Sequence, residues 1–164
     1  MLKLDHFTLE LFNEDNEEHV KLKNAIIDMK DSDLISKNID AYIRRNKDLG
    51  AVDNITRTYV VAYDNDYIGL TFVNYHPEEV INGKKYSEEI EIGLGILPKY
   101  RNKGLGSSLD RELSDKLLEI FPRFRFIVAK IDNDNLPSIK TAENAGFKRI
   151  IDNEYHYERL PKKK

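Results

Sequence analysis

The residues best suited to chemistry lie in one run, Glu88-Glu89-Ile90-Glu91-Ile92-Gly93-Leu94-Gly95-Ile96-Leu97-Pro98-Lys99-Tyr100-Arg101-Asn102-Lys103-Gly104-Leu105-Gly106. In an extended strand Ile90, Ile92, Leu94 and Ile96 point to one side, which gathers Glu89, Glu91, Gly93 and Gly95 on the other. The first set reads as core. The second is a strip of bare backbone beside carboxylates, and glycine weakens a strand unless something approaches closely, so a thin ligand fits there. Past Leu97 the chain turns at Arg101-Asn102-Lys103-Gly104-Leu105-Gly106 into a helix with Leu105, Leu109, Leu113 and Leu117 at four-residue spacing. Helix N-terminal amides are unsatisfied donors with partial positive charge, and glycine lets them approach phosphate oxygens. Lys99, Arg101 and Lys103 add charge, so a diphosphate suits the turn. On the turn alone, glycines serving only backbone conformation remain the simpler reading.

The elements around this run are legible from periodicity. Leu4 to Phe12 alternates as an opening strand, and Asn13 to Asn16 supply caps for a helix that carries Val20, Leu22, Ile26, Ile27 and Met29 inward. A second helix spans Ser32 to Leu49, with Gly50 as its stop. The period then changes to two: Thr58 to Tyr63 and Tyr67 to Tyr75 form a hairpin about Asp64, Asn65 and Asp66. His76 to Tyr86 reads as a loop and Ser87 to Leu97 as the next strand. A helix over Gly104 to Phe121, a strand over Arg125 to Ile131, a helix over Leu136 to Ala145 and a closing strand over Tyr155 to Leu160 complete the order. This is a mixed α/β (α+β) arrangement, and the strand-helix-strand unit from Glu88 to Ile131 makes its two strands parallel.

Composition narrows the function. A chain of 164 residues, 40% hydrophobic, suits one domain over 1–164. There is no cysteine, so disulfides, thiolate zinc sites and a cysteine nucleophile are excluded. The 26 Lys and Arg against 29 Asp and Glu leave a net charge of −3, unlike a nucleic-acid binder, and a small or cationic partner fits better. Lys162 to Lys164 read as a solvated tail. Met1 to Phe12 lack the features of a signal peptide and no segment is long enough to span a bilayer, so a cytoplasmic protein is expected, with no membrane partner, as a monomer or homodimer.

Leu97 to Gly106 resembles the acyl-CoA signature of GNAT acetyltransferases, an Arg or Gln, two residues, Gly, one residue, then Gly or Ala. Asn133-Asp134-Asn135-Leu136-Pro137-Ser138 with Glu143-Asn144-Ala145-Gly146-Phe147 resembles the family's second signature. Together they cover about the last half of the chain. The resemblance implies a GNAT-like domain with a central sheet of about six to seven strands, helices on both faces and two splayed parallel strands. It further implies acetyl-CoA as co-substrate, no metal, and transfer of the acetyl group to a primary amine of a small molecule or a protein N-terminus. By that analogy Arg101, Asn102, Lys103, Gly104, Leu105 and Gly106 hold the pyrophosphate, Ser107 belongs to the cofactor site, and the pantetheine arm lies along Leu94, Ile96 and Leu97. Asn135 and Ser138 then flank the cofactor, with Ile127 to Lys130 across the groove. Glu91-Ile92-Gly93 and Asn135 to Ser138 are most similar to the branch acting on N-terminal amines of ribosomal proteins. A P-loop hydrolase is excluded, because Ser107 stands where that motif needs its lysine.

An amine must be neutral to attack a thioester, and one with a lysine-like pKa of about 10.4 meets a deficit of about 4 to 5 kcal/mol at pH 7. A carboxylate on the cofactor strand can collect its proton, directly or through water. Glu91 is the first candidate and Glu89 the second, while Glu88 has the wrong parity; solvated acids on an exposed strand face are an equal reading. The resemblance also implies a tyrosine that protonates the leaving thiolate, but Ala142 occupies that position. Tyr155, Tyr157 or water are the substitutes, and a domain that binds acyl-CoA without turnover is the rival reading. His76, in a loop, and His156, between tyrosines, lack metal-ligand spacing and read as surface or packing residues.

Overall fold

The structure, a computed structural model, describes residues 1–27 and 55–158. The helix expected over Ser32 to Leu49, together with Met29, the side chain of Ile27, Gly50, Leu160 and the lysine tail, lies outside the described residues. Ten strands and three helices follow in order among the described residues: β1 (Leu2–Lys3), β2 (Thr8–Leu11), α1 (Glu17–Ile27), β3 (Ile55–Tyr63), β4 (Asp66–His76), β5 (Glu79–Ile81), β6 (Lys84–Tyr86), β7 (Glu89–Ile96), α2 (Leu105–Ile120), β8 (Phe126–Lys130), α3 (Leu136–Ala145), β9 (Lys148–Ile151) and β10 (Glu154–Glu158).

Eight strands form one sheet in the order β1-β2-β3-β4-β7-β8-β10-β9. The strands of this sheet not expected from the sequence are the short edges. Leu2–Lys3, which precedes the expected opening strand, pairs with Thr8–Leu11, the part of that strand that forms, and Lys148–Ile151 flanks β10. That last segment is exposed at every position, so it has no buried face to impose an alternation on its sequence. β10 therefore pairs with β8 on one side and β9 on the other rather than closing the sheet. The expected loop after His76 contains a small separate hairpin, β5 with β6. Its two-residue turn, Asn82-Gly83, takes positive φ at both positions, as does Asp64-Asn65 between β3 and β4, and such turns match the twist of paired strands.

Helices cover both faces. Leu22 and Ile26 of α1 pack on Val60, Leu70 and Phe72, while Leu109, Leu113 and Leu117 of α2 pack under Ile90, Ile92 and Ile127. At about 25 cal/mol per Å² of buried apolar surface, these layers supply the main stabilisation. Asn16 caps α1, its Oδ1 accepting from the amides of Glu18 at 3.0 Å and His19 at 3.2 Å. Between the antiparallel halves sits one parallel pair, β7 with β8, and it is joined at a single position, Glu91 opposite Val128. β7 pairs fully with β4 on its other side, from His76 opposite Glu89 to Gly69 opposite Ile96. β7 is thus paired along its whole length on the β4 side and at one position on the β8 side, and past Glu91 that seam opens.

Candidate active site

The opening between β7 and β8 is a cleft of about 860 Å³, walled by Ile92 to Leu94 on one strand and by Ala129, Lys130 and the following Ile131 on the other side, with residues of α2 and α3 completing the lining. Its mouth is the turn into α2. Asn102 and Gly104 adopt φ of 62° and 75°, and Gly104 is the N-cap with no side chain bonding the first amides. Those donors are left for a ligand, and a Cβ at Gly104 would meet nothing within 4 Å. Gly106 has a packing reason as well: a Cβ there would stand 3.0 Å from Thr141 Cγ2, so the glycine lets α2 lie close against α3. Arg101 Nε donates to the Ile96 carbonyl at 3.0 Å and pins the turn to the end of β7.

At the inner end stands Glu91, 8% exposed. Its Oε1 lies 2.9 Å from His76 Nε2, on the last residue of β4. The reading of Glu91 as a solvated surface acid is therefore overturned, and His76, expected to be a loop residue, is the group that contacts it. Glu89 is turned to another partner, Lys130 Nζ at 3.3 Å. Glu88 accepts from Arg123 Nε at 2.8 Å and from the Tyr75 hydroxyl at 2.7 Å, and first Arg123, then Tyr75, hold its carboxyl below the usual range. The bare backbone strip beside these acids does not exist at Gly93, where a Cβ would fall on the Phe72 ring. An aromatic side chain from β4 covers Gly93 on the side read from sequence as open, and both residues line the cleft.

The acetyltransferase (GNAT) family model matches residues 11–147, spanning the cleft, the turn and both sequence signatures. The chain belongs to that family. No curated protein sequence matches it. Among solved structures it is similar to the aminoglycoside acetyltransferase AAC(6')-Ib in complex with coenzyme A, at 19% identity over 93% of this chain and 95% of that one, with a TM-score of 0.67. It is also similar to the Campylobacter jejuni N-acetyltransferase PseH in complex with acetyl coenzyme A, at 20% identity over 94% and 99% of the chains, with a TM-score of 0.59. A third is the Salmonella typhimurium acetyltransferase that modifies the N-terminal serine of the 50S ribosomal protein L7/L12, at 16% identity over 95% and 96%, with a TM-score of 0.65. At such identities the likeness establishes a shared GNAT fold.

In this GNAT chain the cleft gathers most residues singled out from the sequence. Glu91, Leu94, Ile96, Arg101 and Asn102 line it, as do Gly104, Leu105, Gly106 and Ser107 of the turn and helix start, and Asn135 and Ser138 of the opposite wall. Glu89, Leu97 and Lys103 are not among the lining residues. Lys103 instead sits 6.0 Å over the Tyr100 ring, and Leu97 packs against the cluster under α1. Asn135 has a local task too, because its Oδ1 caps α3 by accepting from Ser138 N at 3.4 Å. Ala142 lines the cleft, whereas the proposed substitutes for its missing hydroxyl do not. Tyr155 is core, and Tyr157 gives its hydroxyl to Asp115 at 2.6 Å, with burial first and that bond second holding the phenol strongly protonated. Sequence reading passed over Asp110. It is a buried carboxyl in the cleft wall, and its place in an apolar helical face was the available signal.

Proposed function

We propose that this chain transfers the acetyl group of acetyl-CoA to a primary amine by direct attack. The observation that carries the reading is the alignment of an uncapped helix N-terminus, a cleft between two parting parallel strands and a buried carboxylate along one path. The pyrophosphate binds the amides from Arg101 to Gly106, and the pantetheine arm runs inward past Leu94 and Ile96, between Ile131 and the α3 wall of Asn135 and Ser138. No metal is required, because the amine is the nucleophile and the thioester is already activated.

The incoming ammonium has to lose a proton before attack. Glu91 accepts it directly or through one water, and His76, with 29% of its side chain exposed, passes it toward solvent. Amines of aminoglycosides, amino sugars and peptide N-termini are the acceptor classes to test first, the last by the resemblance to the ribosomal-protein branch. Calorimetry with coenzyme A, followed by a free-thiol assay with acetyl-CoA and that amine panel, tests the proposal. Binding together with amine-dependent thiol release supports it, and absence of coenzyme A binding removes it. A second reading, an acyl-CoA-binding module without turnover, is motivated by Ala142 in place of a hydroxyl donor, and tight binding with no thiol release from any amine would select it.

A further inference from the structure

The departing coenzyme A leaves as a thiolate, and Ala142 has no proton to give it. One turn into α2 from the phosphate end stands a group that does. Gly106, Ser107 and Asp110 lie on one side of that helix and all line the cleft, so the helix that presents its N-terminus at the mouth presents a carboxyl further in. Asp110 is 8% exposed and makes no hydrogen bond or ion pair among the described residues. Its nearest neighbours on the buried side of α2 are Leu109, Leu113 and Ser114, whose Oγ is likewise without a hydrogen-bond partner among the described residues. Ser107 Oγ donates to the Thr141 carbonyl at 2.8 Å, which fixes this part of α2 beside the segment of α3 that carries Ala142. An unpaired acid in such a wall is costly to the fold, and its use lies in what enters the cleft.

We propose that Asp110 is the proton donor to the leaving thiolate, an inference that rests on the acetyltransferase reading. The amine nitrogen forms a bond to the carbonyl carbon, and the carbon–sulfur bond breaks with its electron pair on sulfur. The Asp110 carboxyl O–H gives its proton to that sulfur, producing the thiol and a carboxylate. Glu91 takes the proton lost from nitrogen, and Asp110 is reprotonated from solvent through the open cleft. Burial pushes the Asp110 carboxyl up to about 7, so about half of the molecules hold this proton at neutral pH.

The charged groups sharing the cleft are Glu91 on β7, Lys130 on β8, Lys140 on α3 and Arg101 in the turn. Glu91 contacts His76, Lys130 contacts Glu89, and Arg101 is bonded to the Ile96 carbonyl. On α2 itself Arg111 is exposed, Glu112 holds His6 and Asp115 holds Tyr157.

The test compares wild type with Asp110→Asn across pH 6 to 9, using acetyl-CoA and an accepted amine, with coenzyme A affinity measured by calorimetry. The expected result is a fall in kcat of about tenfold or more, with affinity and the KM for acetyl-CoA within about threefold. The donor must be protonated, so wild-type kcat declines as pH rises past neutrality, and that decline is absent from Asp110→Asn. An acetyl thioester of a coenzyme A analogue with a more acidic thiol, which departs without a proton, should bring the variant back toward wild type. A purely structural role would not produce that rescue. Asp110→Ser provides the same comparison should Asp110→Asn fail to melt cooperatively. Unchanged kcat and pH profile in the variant overturn the inference alone, whereas wild type that binds no coenzyme A overturns the acetyltransferase reading and this inference with it.

Discussion

Glu91 and Asp110 are both carboxyls buried in the same cleft, and their surroundings separate their roles. Glu91 has a histidine partner at 2.9 Å that can carry a proton onward. Asp110 has only desolvation, which favours its protonated form. Glu91→Gln keeps the shape and removes the proposed base, so kcat should fall by about a hundredfold while acetyl-CoA affinity stays within about twofold. Steady-state kinetics beside calorimetry check this, and equal activity at every pH would take Glu91 out of the mechanism. Asp110 also makes a stability prediction. Its folded pKa of about 7 lies above the ordinary 3.8, so the unfolded chain releases this proton first. The contribution is fully present below about pH 4 and is lost as pH rises to about 7, a swing on the order of 4 kcal/mol. Urea melts between pH 4 and 8 should show wild type losing this increment and Asp110→Asn keeping it; parallel curves would contradict the burial.

The two helix starts that flank the cleft differ in how their amides are satisfied. At α3 the Asn135 side chain supplies the cap, so Asn135→Ala should cost about 1 kcal/mol in a urea melt. At α2 no side chain does so, and the residue at the cap, Gly104, has φ of 75°. Aspartate is among the few residues that tolerate this conformation, and a side chain there meets no neighbour within 4 Å. Gly104→Asp should therefore fold yet place a negative charge at the proposed diphosphate site, raising the Kd for coenzyme A by at least a hundredfold in calorimetry. Gly93 behaves differently. A Cβ there falls on Phe72, so Gly93→Ala should destabilise by about 1 to 3 kcal/mol through overpacking, which a melt would show as a lowered midpoint.

Across the whole molecule, β7 is the element on which the architecture turns. It is fully paired with β4 and joined to β8 at one position, so the sheet carries a built-in opening flanked by residues of α2 and α3. A ligand lying in that opening ties the two halves together. Coenzyme A at a hundredfold excess over its Kd should raise stability by about 2.7 kcal/mol, a shift in Tm of roughly 5 to 10 °C for a chain of this size. A thermal melt with and without coenzyme A reads this directly, and no shift at saturating ligand would argue against binding to the folded state.

Local sequence rules determined a good deal of this protein. Alternation placed β3, β4 and β7, and four-residue spacing placed α2, because in each case the signal lies in neighbouring residues. The same logic read the helix-start turn and its glycines, which carried the family resemblance. It failed where the deciding partner is distant in the chain. Nothing near Gly93 predicts that Phe72 fills its empty side, and nothing near Glu91 reveals His76, fifteen residues away, as its contact. The short edges Leu2–Lys3 and Lys148–Ile151 have too little buried surface to mark their sequence. Asp110 sits at a helical position that period alone assigns to the core, and only the cleft between β7 and β8 turns that buried acid into one with access to a ligand. Periodicity reports which face is buried; which group lies against that face depends on chain crossings that only the folded sheet brings about.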